Sequence, residues 1–270
     1  MPEGHTLHRL ALDLTGTFGD KVVRSGSPQG RFEAAARLDG RTLLEATAHG
    51  KHLFVAFSDL EEQVHVHLGL YGAFTFVEDP EPPVVGQVRW RLSSGRATAD
   101  LRGPTACELL VPDEIEAIHA RLGADPLDPA ADVERAAAVV AASRAPIATL
   151  LMDQRVIAGV GNVYRAEVLF RHRIDPRVAG RDLRPGTFLT LWADLVDLMG
   201  EGVRTGRIDT VRPEHEPEAM GREPRVDDHG GEVYVYRRAG QPCLVCGTRV
   251  RTEVVAGRNL FWCPRCQRRR

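Results

Sequence analysis

With 270 residues, 43% of them hydrophobic, the chain is long enough to bury more than one core, so at least two domains are expected. Its 35 basic and 37 acidic side chains leave a net charge of −2, and whole-chain electrostatics gives no sign of a nucleic-acid partner. No run approaches the ~18 consecutive apolar residues of a membrane span, and the opening Met-Pro-Glu-Gly-His lacks a basic leader followed by an apolar core, so a cytoplasmic protein without a membrane partner is expected.

Leu7, Leu10, Ala11 and Leu14 recur at helical spacing, predicting an opening amphipathic helix with Glu3 in its first turn. From about Lys21 to Val111 the text changes to short β-type runs: His52 to Phe57, Val64 to Leu68, Ala73 to Val77 and Val88 to Leu92. Ser93-Ser94-Gly95 reads as a hairpin turn, and the spacing predicts a β-sandwich or barrel. A Pro- and Asp-rich bridge, Gly123 to Pro129, marks the passage to a helical half. Helices are expected over Ala131 to Ala142, Pro146 to Met152, Val163 to Phe170 and Thr187 to Met199. The last presents Leu189, Leu191, Trp192, Leu195, Val196, Leu198 and Met199 as its apolar face. Ile208 to Glu232, polar and proline-containing, is expected to be a mobile loop.

Four of the five cysteines fall in two C-x-x-C pairs, Cys243/Cys246 and Cys263/Cys266, separated by sixteen residues, a spacing that suits a closed tetrahedral site for one structural Zn²⁺. Val250, Val254, Val255 and Leu260 supply a hairpin between the pairs. From Arg237 to the end there are nine arginines and one acid, Glu253. A metal staple accounts for the cysteines but not for these arginines, so the cluster reads as a DNA contact with Arg258 at the hairpin tip.

Two further features carry chemistry. Gly159-Val160-Gly161-Asn162 sets two glycines before a helix start, where exposed amides can receive a phosphate; it is equally a tight interhelical connection. Removal of the initiator methionine would leave Pro2 with a secondary α-amine of reference pKa near ~8, partly neutral and nucleophilic at physiological pH. Such an amine can attack sugar C1′ to give an iminium, with Glu3 as general acid or proton shuttle, although a proline in second place is common in chains with an inert N-terminus. Lysine occurs only at Lys21 and Lys51, the other 33 basic residues being arginine. Lys51, at the mouth of a strand, is either a compact ammonium kept for a purpose or a residual surface lysine.

Taken together, Pro2-Glu3-Gly4, Gly50-Lys51, Gly159-Val160-Gly161-Asn162 and the four-cysteine finger resemble, in order and over nearly the whole chain, the formamidopyrimidine-DNA glycosylase and endonuclease VIII family. The resemblance implies an α+β multidomain fold: an N-terminal catalytic β-sandwich with flanking helices (1–114), a linker (115–129), a helical domain with a helix-two-turns-helix motif and a mobile loop near 208–232 (130–235), and a zinc finger (236–270). It implies a monomeric bifunctional DNA glycosylase and AP lyase acting on double-stranded DNA that carries oxidised bases or abasic sites. Pro2 would form the Schiff base, Glu3 donate a proton, and Lys51 contact phosphate and support catalysis. Asn162 and Arg258 would hold phosphates flanking the flipped nucleotide.

His67-Leu68-Gly69-Leu70-Tyr71-Gly72 resembles the endonuclease VIII branch, whose Gln-Leu-Tyr triplet fills the hole left by the everted base. Leu70 and Tyr71 match that triplet, or else belong to the sandwich core, while Gly69 replaces the glutamine. Asp100-Leu101-Arg102-Gly103 lacks the Arg-Phe wedge of the formamidopyrimidine branch, so oxidised pyrimidines are the expected targets. The alternatives are an 8-oxoguanine-preferring glycosylase and a catalytically silent damaged-DNA-binding protein.

Overall fold

Residues 2–226 and 231–268 are described by a computed structural model, in which the chain divides into two units, Met1–Arg121 and Leu122–Arg270. The first opens with α1 (Gly4–Phe18), which buries Leu7, Leu10, Ala11 and Leu14 as the periodicity predicts. Glu3 is its N-cap rather than a first-turn residue: its extended backbone donates N–H to Thr6 Oγ1 at 3.4 Å, and its C=O accepts from Thr6 N–H at 2.9 Å. Lys21 Nζ donates to the Thr17 carbonyl at 2.7 Å, so this lysine closes the helix C-terminus, where a cation complements the dipole.

Nine strands follow: β1 (Lys21–Val22), β2 (Arg24–Gly26), β3 (Thr42–His49), β4 (His52–Phe57), β5 (Gln63–His67), β6 (Ala73–Val77), β7 (Val88–Ser94), β8 (Ala97–Arg102) and β9 (Ala106–Leu110), with the short α2 (Ala35–Leu38) after β2. They form two antiparallel sheets, ordered β1-β3-β4-β5-β9 and β2-β7-β8-β6. Period-two alternation sends Leu53, Val55, Phe57, Val64 and Val66 from one sheet and Trp90, Leu92, Ala99 and Leu101 from the other into a single core, closed by α1. The sandwich alternative is therefore the one adopted. Asp100 is buried on β8 and takes Arg91 at 2.7 and 2.8 Å and Arg102 at 2.7 Å, so this stretch is committed to sheet structure. Cys107 lies on β9 against the core, where burial pushes its thiol up to about 12. The helix α3 (Pro112–Arg121) ends the unit.

In the second unit Gly123 N–H bonds Gln154 O at 2.8 Å, and Asp125, fully buried, accepts from Leu127 N–H at 2.9 Å. Residues 115–129, read as a linker, thus hold the end of α3 and then a stretch packed into this unit. The helices are α4 (Val133–Ala142), α5 (Ile147–Leu150), α6 (Asn162–Arg171) and α7 (Thr187–Thr205), followed by the one-turn α8 (Pro217–Met220) and the hairpin β10 (Arg251–Val255) and β11 (Arg258–Trp262). On α7 the buried residues are Phe188, Leu191, Leu195, Leu198 and Met199, whereas Leu189 and Val196 are 41% and 37% exposed. Those two belong to the outer side because the helix buries one stripe only. The ends of the Ile208–Glu232 segment are clamped, Thr210 N–H to Glu232 O at 2.8 Å and Glu232 N–H to Asp209 Oδ1 at 2.7 Å. Between them stand a 3₁₀ turn at Pro213–His215 and α8, and residues 227–230 of the expected mobile loop lie outside the described residues.

Candidate active site and metal centre

The first unit carries the catalytic candidates. Pro2 is half-buried directly before α1, and Glu3 is fully buried. The helix behind them is tied to β3 by Thr15 Oγ1, which accepts from Ala46 N–H at 2.9 Å, so the N-terminus sits on a rigid support. Lys51 occupies the two-residue turn Gly50-Lys51 between β3 and β4, where Gly50 has φ +57°, a conformation that glycine adopts without penalty. His49 pairs His52 across this turn, and His52 in turn pairs His67, the last residue before the Leu68–Gly72 loop. The Lys51 turn and that loop therefore share one end of the sheet.

In the loop, Leu70 is 46% and Tyr71 88% exposed, which removes the core alternative for both. The turn favours glycine at position 69. Its φ is +66°, and a Cβ there would lie 1.9 Å from Thr105 Oγ1 and 3.2 Å from Thr105 Cβ. At Gly72 a Cβ would stand 2.3 Å from the Leu68 carbonyl oxygen. The departure from a Gln-Leu-Tyr triplet is thus built into a tight turn that pushes Leu70 and Tyr71 outward.

In the second unit, Gly159 has φ +86° and Gly161 is the N-cap of α6. The turn is stapled by Gln154, whose Nε2 donates to Val160 O at 2.9 Å and whose Oε1 accepts from Gly159 N–H at 3.0 Å. Asn162, 5% exposed, donates from Nδ2 to Asn259 O at 2.9 Å. Arg165 donates to the same carbonyl at 3.1 Å and also to Asn162 Oδ1. The structure thereby joins the glycine turn to the zinc-finger hairpin one residue from Arg258, which is exposed and opens β11 opposite Val255.

The four cysteine sulfurs lie within 4.8 Å of one another, Cys246 to Cys263 at 3.5 Å and Cys243 to Cys266 at 3.9 Å. Four thiolates about 2.3 Å from a tetrahedral zinc stand about 3.8 Å apart, so the cage fits that ion. Gly247 N–H donates to Cys243 O at 2.9 Å and Gln267 N–H to Cys263 O at 3.0 Å, closing the two knuckles. Gln267 Nε2 also reaches Ile174 O at 3.0 Å, fastening the finger behind α6. Glu253, the single acid of the basic tail, is taken by Arg177 at 2.8 Å, while Arg251 and Arg258 stay exposed on the hairpin.

One organising residue has no sequence signature. Glu167, fully buried on α6, accepts Tyr234 N–H at 2.7 Å, Val235 N–H and Tyr236 N–H at 2.8 Å, and the Thr210 hydroxyl at 2.6 Å. Arg238 continues the support, donating to Tyr234 O at 2.6 Å and Pro242 O at 2.9 Å. Only the near-complete burial of α6 shows that this glutamate must be partnered, since burying a charge demands partners.

Comparison with known proteins decides the lineage. The N-terminal domain of formamidopyrimidine-DNA glycosylase matches residues 1–107, its H2TH domain residues 122–213, and the zinc finger found in FPG and IleRS residues 240–269. Endonuclease 8 1 of Mycobacterium tuberculosis is 50% identical over 99% of this chain and 100% of its own length. The chain belongs to the formamidopyrimidine-DNA glycosylase and endonuclease VIII family. It is thereby placed among the DNA glycosylases of DNA repair. The MutM (Fpg) protein of Thermus thermophilus shares its fold at TM-score 0.75 and 28% identity, covering 98% of both chains. Lactococcus lactis Fpg, solved with DNA containing an abasic site, gives TM-score 0.80 over 99% of this chain and 100% of that one, a likeness of fold at 20% identity. The match over 240–269 is to a zinc finger and its four cysteines form a group that could hold a metal ion; among the described residues no helix is long and apolar enough to cross a membrane.

Proposed function

We propose that this family member is a bifunctional DNA glycosylase and AP lyase of the endonuclease VIII type, acting on oxidised pyrimidines in double-stranded DNA. The observation that carries the reading is the anchoring of Pro2: a secondary amine, once Met1 is removed, at the head of a helix held on β3, beside a buried carboxyl group. The neutral amine attacks C1′ and the bond from C1′ to the base breaks, the base leaving with the proton that the amine gives up; the C1′–O4′ bond then opens, with Glu3 supplying the proton to O4′, and an iminium is left at C1′. The resulting iminium acidifies the C2′ proton; its loss expels the 3′ phosphate, so the abasic strand is cleaved by β- or β,δ-elimination. Lys51 contacts phosphate beside the reacting sugar, Arg258 and Asn162 serve the flanking phosphates, and the zinc ion bound by Cys243, Cys246, Cys263 and Cys266 keeps the hairpin rigid.

Extruding the nucleotide costs a few kcal/mol, least for a damaged base. Leu70 and Tyr71, thrust out by their glycine turn, offset that cost by filling the vacated space. The preference for pyrimidines rests on this loop and on the 50% identity to an endonuclease 8. The test is borohydride trapping on duplexes containing 5-hydroxyuracil, 8-oxoguanine or an abasic site, using protein with Met1 confirmed absent. A covalent adduct, strongest with 5-hydroxyuracil and lost on N-acetylation or in Pro2→Gly, is expected. Absence of any adduct from protein that binds zinc and DNA would refute the amine mechanism, and a stronger adduct with 8-oxoguanine would refute the substrate assignment.

A further inference from the structure

The β3–β4–β5–β9 sheet has a second face, opposite the sandwich core. Because Leu53, Val55, Val64 and Val66 point into the core, His52, Phe54, His65 and His67 stand on the other side, with His119 of α3 packed against Phe54 and His49 at ring distances of 5.1 Å. His65 is 4% exposed, and both its ring nitrogens are bonded: Nδ1 to Glu108 Oε1 at 3.0 Å and Nε2 to His52 Nδ1 at 2.8 Å. We propose that Glu108, His65 and His52 form a hydrogen-bonded array that holds the Lys51 turn in place, which makes His65 and Glu108 positioning residues of the glycosylase reaction. The proposal rests on the role given to Lys51 above.

The direction of the array follows from donor chemistry. An ionised carboxylate only accepts, so His65 carries its proton on Nδ1 and offers Nε2 as an acceptor. His52 must then donate from Nδ1, which leaves its Nε2 without a proton. One exposed carboxylate thus sets the tautomer of two rings in succession and fixes the ring plane of the residue next to Lys51. Stacking of His52 on His65 at 5.1 Å and its contact with His67 at 5.1 Å complete the constraint.

The array is neither a metal site nor simple filler. Among the described residues the four cysteines are the only group that brings three or more metal-ligating atoms together. An aliphatic residue at position 65 would pack against Phe54 without two buried polar atoms to satisfy, so the bonded imidazole specifies a geometry that an apolar core would leave free. At His52, burial and the groups around it favour the neutral ring. Burial first, then His65, His67, His49 and Arg121, push His52 down to about 3, and Lys51 acts in the same sense on His67. Lys51, His49 and His67, with His119 and Arg121 from α3 and Glu108 from β9, are the titratable groups around the array.

The test compares His65→Leu, Glu108→Leu, Glu108→Gln and Lys51→Ala by single-turnover excision from pH 5 to 9, with thermal unfolding and zinc content as controls. Glu108 has a side chain 53% exposed, so its variants should fold even if His65→Leu does not. Loss of positioning predicts a fall of about tenfold in rate for His65→Leu and Glu108→Leu. Glu108→Gln, whose amide oxygen can still accept from Nδ1–H, should stay near wild type above neutral pH. Wild-type rates in both leucine variants, or a loss in Glu108→Gln equal to that in Glu108→Leu, with Lys51→Ala impaired, would overturn the array. A wild-type rate in Lys51→Ala would instead overturn the reading of Lys51.

Discussion

Replacing Glu167 by alanine would strand three buried backbone N–H groups, of Tyr234, Val235 and Tyr236, while the Thr210 hydroxyl would keep the Glu232 carbonyl at 3.3 Å. Each stranded donor costs about 1–3 kcal/mol, so even the lower bound predicts a loss of about 3 kcal/mol. That is a large share of the 5–15 kcal/mol typical of a domain. Glutamine keeps one oxygen. Since Tyr234 N–H and Thr210 bond Oε2 while Val235 and Tyr236 bond Oε1, it retains two of the four bonds, and a loss of about half that size is expected. Urea unfolding gives the free energies, and native-state hydrogen exchange at Tyr234, Val235 and Tyr236 gives the local effect. Because these residues lead through Arg238 into the finger, DNA affinity should fall together with protection. An alanine variant within about 1 kcal/mol of wild type, or with the three amides still protected, would refute the assignment of Glu167 as the organiser of this segment.

Gly69→Gln, which restores the triplet of the endonuclease VIII branch, should destabilise the protein by about 1–3 kcal/mol, because it imposes a side chain at φ +66° and against Thr105; Thr105→Ala should recover part of the loss in thermal unfolding. Two acid windows are expected in the pH dependence of melting. His5 and His52 are held neutral, the first at about 4 and the second at about 3 against an ordinary 6.5, so the unfolded chain binds protons first and stability falls as pH drops from 6.5 towards those values. Asp194, which burial would raise, is instead brought down to about 2 by bonds from His172 and Arg171. Its contribution is present above the ordinary 3.8 and is lost as pH falls towards 2, so Asp194→Asn should flatten that lower window. Chelation should release one zinc per chain, measurable by atomic emission, and weaken DNA binding while leaving far-UV signals of the sandwich unit intact; retained affinity in the metal-free protein would contradict the role given to the hairpin.

What the sequence by itself determined lies in local pattern. Helical spacing of Leu7, Leu10, Ala11 and Leu14 specifies the buried stripe of α1, and β4 and β6 run over the residues marked by β-type runs, because side-chain periodicity is a property of the strand itself. Two C-x-x-C pairs suffice for a metal cage, since each knuckle presents two sulfurs whatever surrounds it. Tertiary structure decided the rest. Leu70 and Tyr71 could have been core or surface until the φ of Gly69 and the approach of Thr105 fixed their exposure. Glu167, Asn162 and the Glu108–His65–His52 array draw their meaning from partners 13 to 97 residues away. A hydrogen bond across such a separation imposes no period on the chain. Polar residues of this kind look like solvated faces in the text, and only their burial, which requires every donor and acceptor to be matched, shows that they hold the functional elements in place.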